Sequence, residues 1–284
     1  MEATSRDWKG IGFRGLLLGS LGLSIVVLIV LVVDVAQDGV GKLSLDFLSN
    51  PPSHLPARAG IGPALAGTLW LMVVCTIFIV PVGIATAVYL EEYADRTKWW
   101  NRLIEVNIQN LAAVPSIVYG ILGLAFIVRG PLSLGRVVLA GALTLGLLVL
   151  PVVIIAGREA IRAVPSSIRE GSLALGATQW QTIWRQVLPA AVPGMATGVI
   201  LALSRAIGET APLIVIGAAT YIAVNPTGLD SAFTAMPIQI FNWISQPQTD
   251  YKLKAAAGIL VLLGILMLMN SIAIYLRNRY EKKW

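Results

Sequence analysis

The chain has 284 residues, of which 56% are hydrophobic and only 13% are charged, and its mean hydropathy is +0.78. A soluble domain has about 25% charged residues, so this composition excludes a soluble globular protein and indicates one that crosses a membrane several times. The net charge of +6 does not indicate nucleic-acid binding, because the positive residues lie at the ends of apolar stretches. The single cysteine, Cys75, excludes an intrachain disulfide, and the single histidine, His54, gives no basis for a metal site.

Six apolar stretches are long enough to cross a bilayer, whose core of about 30 Å requires about 20 helical residues. In chain order they are 15–35, 64–90, 106–128, 137–156, 193–224 and 254–276. The first ends at Asp34 without a clear cleavage site, so we interpret it as a retained helix. The chain then divides into a first helix with an outer loop (1–63), a transmembrane domain (64–276) and a cytoplasmic basic tail (277–284).

The positions of Lys and Arg predict the orientation. With both termini in the cytoplasm, fourteen of the 21 Lys and Arg residues lie in inner segments and six in outer segments, while Arg205 lies inside a span. Because Lys and Arg are enriched in cytoplasmic loops, both termini and segment 159–189 are predicted to be cytoplasmic. The outer segments 36–63 and 225–253 contain Pro, Gly, Asn and Asp, which indicates ordered loops rather than spans.

Segment 159–189 is polar and charged although it lies between two apolar stretches, and its pattern predicts a short helix–turn–helix. Pro165 is suited to the first position of a helix and Gly176 to a helix end. Thr178 and Gln181 have the spacing of a capping box, which begins a second helix.

In this second helix, apolar residues at helical spacing predict a single stripe. They are Trp180, Ile183, Trp184 and Val187. Periodicity alone leaves two interpretations open: an element that docks a soluble partner, or an interfacial hairpin that packs on its own bundle.

The spacing in this segment resembles the EAA loop of ABC-importer permeases, which reads Glu-Ala-Ala, three residues, Gly, nine residues, Ile, one residue, Leu-Pro. Glu170, Gly176 and Leu188-Pro189 fall at the matching positions, whereas Gly171, Ser172 and Gln186 depart from the pattern. In that family the loop docks on the ATP-binding subunit and carries its motion to the membrane. The resemblance implies the docking residues Glu170, Gly171, Ala174, Gly176, Ala177, Thr178, Trp180 and Trp184.

The fifth apolar stretch contains two charged residues, Arg205 and Glu209. A charge at the bilayer centre costs about 2.5–3.5 kcal/mol on insertion scales, but residues four apart share a helix face and can neutralise each other. The pair could fix packing between subunits, or it could serve an anion path in which the planar guanidinium binds oxyanions. Because intramembrane charges are usually functional, we favour a path with Ser204 and Thr210 beside the pair.

Asn110, Ser116 and Tyr119 are weaker candidates for lining this path, because interhelical hydrogen bonds explain polar residues in spans equally well.

A second resemblance is more specific. The sequence Ser-Arg-Ala-Ile-Gly-Glu-Thr-Ala-Pro at 204–212 is similar to a signature of phosphate-importer permeases of the PstA type, as are 114–120 and 169–178. The resemblance covers about residues 64–276. It implies an all-α integral membrane fold, namely the six-helix bundle of type I ABC-importer permeases (MetI-like) with a cytoplasmic coupling helix–turn–helix.

The same resemblance implies a non-catalytic subunit in a bacterial inner membrane that forms half of the path for inorganic phosphate. Its implied partners are a homologous PstC-type permease in a heterodimer, two ATP-binding subunits that carry ATP and Mg, and an external phosphate-binding protein. This chain has no Walker-type phosphate loop and no catalytic constellation, so the energy source is expected on another chain.

Two alternatives remain. The first is a permease of the same architecture for another oxyanion, such as sulfate or molybdate. The second is a stand-alone channel or secondary carrier. Carriers often have broken helices in paired halves, but no break is visible in this sequence, and the docking pattern of 159–189 argues against this class.

Overall fold

The computed structural model describes residues 8–95, 97–218 and 221–280, and these residues form an all-α protein. Within these ranges there is no β-strand, only an isolated antiparallel bridge between Val137 and Ala232. The helices are α1 (Trp8–Gly39), α2 (Leu45–Ser49), α3 (Gly62–Val88), α4 (Trp99–Ala112), α5 (Ser116–Leu122), α6 (Val138–Arg162), α7 (Ser166–Ala174), α8 (Gln179–Thr182), α9 (Leu188–Gly208), α10 (Ala211–Ile216), α11 (Met236–Ile244) and α12 (Thr249–Tyr280). The predicted all-α class is confirmed.

Five helical segments are long and apolar enough to cross a membrane: Gly12–Lys42, Gly62–Tyr93, Val138–Arg162, Gln179–Gly208 and Thr249–Arg279. A sixth crossing is present if α4 and α5, with the π-helical turn Gly123–Val128 that follows α5, count as one broken span. The predicted bundle of six apolar spans is therefore confirmed, although two of the spans differ in form.

The third span is broken rather than continuous, so the apolar stretch 106–128 does not form a single helix. Helix α4 ends at Ala112, α5 begins at Ser116, and the two parts are bent by 108°. Pro115 explains the break, because it has no N–H to continue the helix and disfavours a helical conformation at Val114.

The fifth span is also shorter than predicted, because α9 ends at Gly208 and not near residue 224. Glu209 has an extended backbone (φ −78°, ψ 117°), and Pro212 lies in the first turn of the short helix α10. Proline fits a first turn, where its missing N–H is not needed, but it interrupts a longer helix. The chain thus contains two broken helices, which corrects the expectation that none is present.

The second parts of the two broken spans pack on each other. Helix α5 contacts α10 most closely at Gly120, where a Cβ atom would lie 2.8 Å from the Cα of Pro212. Only glycine permits this approach of two backbones. Both helix breaks are therefore tied together beside the central helices α3, α6 and α9.

The two ends of the bundle differ. Segment 159–189, hereafter the docking segment, lies at one end, and Arg277 near the end of α12 lines the same cleft as Glu159 and Ala163. The predicted outer loops meet at the opposite end, where Phe47 of α2 and Trp243 of α11 are buried with ring centroids 5.9 Å apart. The prediction that these loops are ordered is confirmed.

The predicted tail 277–284 does not begin where a helix ends, since α12 continues to Tyr280. Residues 281–284 lie outside the described residues. So do four of the cations in the orientation argument, namely Arg6, Arg96, Lys282 and Lys283.

Candidate functional site

The last turn of α9 carries the predicted charged pair, and the ion pair is present. The Nε atom of Arg205 lies 3.4 Å from Oε1 of Glu209, and the two side chains are 42% and 19% exposed. Exposed pairs with such long contacts contribute little stability, about 0–1 kcal/mol. The pair therefore leaves most of the guanidinium donors of Arg205 available to another acceptor.

Tyr119 lies on α5, just after the bend between α4 and α5. Its ring is buried, and its hydroxyl donates a hydrogen bond of 2.8 Å to the carbonyl of Leu111 on the other side of the bend between α4 and α5. The hydroxyl proton of Tyr119 is therefore used in a hydrogen bond across the bend. Only the lone pairs of the hydroxyl oxygen remain for an interaction in the predicted path.

The other predicted lining residues are not joined to the charged pair. Asn110 is exposed on the last turn of α4, and Ser116 is half-buried at the start of α5. In the described part of the chain, neither side chain forms a hydrogen bond with Arg205 or Glu209. Their assignment to the path stays a prediction.

Ser204 has a specific partner that the sequence did not reveal. Its hydroxyl donates a hydrogen bond of 2.7 Å to the side-chain oxygen of Asn270 on α12. Both residues line an apolar cleft of about 280 Å³ that reaches Arg277. The sequence analysis overlooked Asn270. A polar side chain inside an apolar span costs insertion free energy, so its presence there was a signal of a specific role. Thr210, the residue before α10, is half-buried, and its carbonyl accepts the N–H of Ile214.

The docking segment has the predicted helix–turn–helix form. Helix α7 is followed by Gly176 with φ +84°, a left-handed conformation that favours glycine. Thr178 and Gln181 form the complete capping box at the start of α8. Pro165 is the residue before the first helix and not its first residue, since its backbone is extended (ψ 140°).

The bundle buries only part of the apolar stripe that was predicted on the second helix. Ile183 and Val187 are 1% exposed and face the bundle, whereas Trp180 and Trp184 are 59% and 53% exposed. The bundle covers only one edge of the stripe, along the π-helical turn Ile183–Val187 that continues α8. The segment is therefore anchored on one edge and leaves an aromatic pair, with ring centroids 5.2 Å apart, facing outward.

The outward surface of the docking segment is concave. A cleft of about 540 Å³ runs between its two helices, and Leu175 projects at its rim with 91% of its surface exposed. Three of the predicted docking residues, Gly171, Gly176 and Ala177, line this cleft, and all the predicted docking residues are exposed except for the half-buried Ala177. They are Glu170, Gly171, Ala174, Gly176, Ala177, Thr178, Trp180 and Trp184.

A charged cluster anchors the same end of the bundle, and the sequence analysis missed it. Glu91, which is 4% exposed, accepts hydrogen bonds from Arg158 at 3.3 Å and from Arg162 at 2.9 Å. Arg158 also donates to Glu105 of α4 at 2.8 Å. The sequence did contain a signal for this cluster. Two consecutive acidic residues, Glu91 and Glu92, end one apolar span, and two arginines spaced by four, Arg158 and Arg162, end another.

The loop between α3 and α4 contains a small local network beside this cluster. Asp95 accepts hydrogen bonds from the hydroxyl and the backbone N–H of Thr97, at 2.7 and 2.9 Å. These bonds, with a smaller contribution from the charge of Lys98, lower the pKa of the Asp95 carboxyl.

Comparison with known proteins agrees with this architecture. Residues 79–282 match the family described as the inner membrane component of binding-protein-dependent transport systems. The phosphate transport system permease protein PstA 1 of Mycobacterium tuberculosis is 35% identical over 218 residues, which cover 77% of this chain and 70% of that protein. The PstA protein of Yersinia pestis is 31% identical over 236 residues, covering 83% and 78%.

Solved structures of ABC importers share the fold. A chain of a bacterial alginate ABC transporter superposes with a TM-score of 0.64 at 19% identity, covering 96% of this chain and 99% of that chain. A chain of the MetNI methionine ABC transporter gives a TM-score of 0.60 at 17% identity, covering 78% and 95%. These matches confirm the predicted MetI-like permease fold. The chain belongs to the family of inner membrane components of binding-protein-dependent transport systems.

Proposed function

We propose that this chain is the transmembrane permease subunit of an ATP-driven importer of inorganic phosphate and forms half of the translocation path. The observation that carries the proposal is the state of Arg205. It lies in a span, beside a helix break, and is 42% exposed with a single long contact to Glu209. The PstA relatives, which are named as phosphate transport permeases, support phosphate as the anion.

The chemistry of the pair suits an anion that must pass and not remain. The guanidinium is planar, stays charged at physiological pH and donates to phosphate oxygens through paired hydrogen bonds. Glu209 competes for the same donors and so limits how long the anion is held. Ser204 and Thr210 flank the pair, and the Ser204 hydroxyl positions Asn270 on the neighbouring helix.

The docking segment supplies the connection to the energy source. The outward face of the docking segment exposes Trp180, Trp184 and Leu175 and fits a protein partner, because large exposed apolar patches mark interaction sites. Since this chain has no phosphate loop of the Walker type, ATP and Mg belong on two ATP-binding subunits that dock here. A PstC-type permease supplies the other half of the path, and an external phosphate-binding protein delivers the anion at the opposite end.

The orientation follows from charge. The chain lies in a bacterial inner membrane, with both termini and the docking segment in the cytoplasm, because Lys and Arg concentrate in those segments. The position of Arg277 at the same end as the docking segment supports this arrangement.

The test is uptake of labelled phosphate by cells that lack this chain and carry either the wild type or Arg205→Gln. We expect the wild type alone to restore uptake, and unlabelled sulfate or molybdate to leave it unchanged. Competition by either anion would point to the other-oxyanion permease. Equal restoration by both forms would contradict the role given to Arg205.

A further inference from the structure

Two consecutive carboxylates end the second span, and they bind different parts of the molecule. Glu91 and Glu92 lie on the π-helical turn Tyr89–Tyr93 that follows α3. Glu91 binds Arg158 and Arg162, which both belong to the neighbouring span α6. Glu92 binds Arg169, which belongs to the docking segment. One acid therefore fixes the end of α3 to α6, and the other fixes it to α7.

The contact of Glu92 with Arg169 is highly specific. Nε and Nη2 of Arg169 both donate to Oε1 of Glu92, at 3.1 and 2.8 Å. The remaining donors bind the carbonyls of Val164 and Ile161, which end α6, at 2.7 and 2.8 Å. Charge-assisted bonds from a planar fork fix orientation as well as distance. Arg169 thus holds the start of α7 at one position relative to both α6 and α3.

Glu92 also holds the second helix of the docking segment. The side-chain nitrogen of Gln179 donates to the backbone carbonyl of Glu92 at 2.8 Å. Within the segment, the hydroxyls of Ser172 and Thr182 lie 2.9 Å apart, so α7 and α8 are joined to each other. The side chain of Glu92 therefore holds α7 and its backbone holds α8, and the two helices are expected to move together.

Helix α3 is attached at its other end as well. The backbone N–H of Met236, the first residue of α11, donates to the hydroxyl of Thr68 at 2.9 Å. Helix α3 is a continuous helix over Gly62–Val88, so it joins the docking segment to the opposite end of the bundle. A displacement applied at Glu92 would reach α11 through one continuous helix, which includes Pro81, and the π-helical turn that follows it.

We propose that Glu92 is a positioning residue that transmits displacement of the docking segment to α3, a role that rests on the proposed function. Apolar contacts alone would transmit it less well. Ala87 of α3 shares an apolar cluster with Val187 and Ile168 of the docking segment, but such packing is non-directional. The side chains of Glu92 and Arg169 are 11% and 24% exposed, so this ion pair is only partly buried.

The test uses the complete complex reconstituted in vesicles, with the variant Glu92→Gln. Its matched control is Glu159→Gln, which removes the exposed Arg162–Glu159 pair at the same end. We expect Glu92→Gln to keep the ATP-binding subunits bound and to lower phosphate taken up per ATP hydrolysed about tenfold, as expected for one lost charge-assisted bond. Glu159→Gln should match the wild type. An unchanged ratio in Glu92→Gln would overturn the proposal, and so would loss of the ATP-binding subunits, because Glu92 would then only hold the fold.

A second readout does not depend on the transported anion. Spin labels on the exposed positions Ile77 of α3 and Val192 of α9 report the distance between these helices, and the buried Cys75 does not interfere with labelling. We expect ATP to change this distance in the wild type and in Glu159→Gln but not in Glu92→Gln. A change in all three would overturn the proposal. A complex that shows the distance change but takes up no phosphate would contradict the proposed function alone.

Discussion

Arg158 and Arg205 are both arginines near the middle or end of a span, yet the protein holds them in opposite ways. Arg158 is 8% exposed and donates to two carboxylates, those of Glu91 and Glu105. Arg205 is 42% exposed and has one contact of 3.4 Å with Glu209. The guanidinium of Arg158 is fixed by its partners, whereas the guanidinium of Arg205 has donors left to bind another anion.

The difference shows that the role of a charged residue in a membrane protein depends on how many of its hydrogen-bond donors or acceptors are already occupied. The cluster around Arg158 joins α3, α4 and α6 and supports the docking segment, so its charges act as structure. The pair at the break between α9 and α10 is loosely held, so its charge is the one that we propose for transport. Both regions contain arginine–glutamate ion pairs, and the geometry of those pairs distinguishes them.

The same substitution placed in both regions should give the largest contrast. Arg158→Gln removes one of the two arginines that bind the buried Glu91, and breaking a buried pair costs up to about 3–5 kcal/mol. Arg205→Gln should cost less than about 1 kcal/mol, because its pair is exposed. Thermal denaturation of the purified protein measures both, and equal shifts in Tm would remove the distinction between the two regions.

A backbone change in the docking segment should have the next largest effect. Gly176→Val forces a β-branched residue into a left-handed conformation at a cost of about 1–2 kcal/mol, and it should reduce both coupling and binding of the ATP-binding subunits. Gly135→Val is the matched control, since Gly135 has φ +76° and open space around it, as Gly176 does. Co-purification and uptake are the measurements. If the Gly135 variant loses docking equally, the effect belongs to stability and not to the segment.

The capping box offers a smaller and more local change. Thr178→Ala removes the side-chain acceptor for the N–H of Gln181 and should destabilise α8 by about 1 kcal/mol. Faster amide hydrogen exchange in 179–187, by about fivefold, is the expected result. Thr178→Ser keeps the hydroxyl and should exchange as the wild type does. Unaltered exchange in the alanine variant would mean that packing of Ile183 and Val187 alone holds this helix.

The smallest effect is expected at the loose pair itself. Glu209→Gln removes the competitor for Arg205, so phosphate should bind more tightly and leave more slowly. Because the pair is worth up to about 1 kcal/mol, we expect KM and the maximal uptake rate both to fall about two- to fivefold. Kinetics of phosphate uptake measure this. A rise in KM would show that Glu209 orients Arg205 and does not compete with the anion.

Features fixed by local interactions could be predicted from the sequence. The apolar runs gave the spans, because length and hydropathy suffice to identify membrane helices. The turn at Gly176 and the capping box of Thr178 and Gln181 are set by residues within a few positions. The Arg205–Glu209 pair follows from a spacing of four in the sequence, although Glu209 lies just beyond the end of α9.

Features that depend on distant residues could not be predicted. Arg158 and Glu91 are 67 residues apart, and Ser204 and Asn270 are 66 apart, so no local pattern joins them. Pro115 explains why the third span breaks, but the bend of 108° also involves the distant packing of α5 against α10. Likewise the stripe of the docking segment predicted an amphipathic helix without showing that the bundle covers only Ile183 and Val187.

The most direct test of the account is a single reconstituted preparation in which phosphate uptake and ATP hydrolysis are measured together. The complete complex in vesicles is compared between the wild type and Arg205→Gln, with the external binding protein present. We expect uptake to fall about 10- to 100-fold, because a charged hydrogen-bond donor is lost, while ATP hydrolysis stays close to that of the wild type. Uptake that persists at the wild-type level, or ATP hydrolysis that falls in parallel with it, would contradict the separation of transport charge from docking structure.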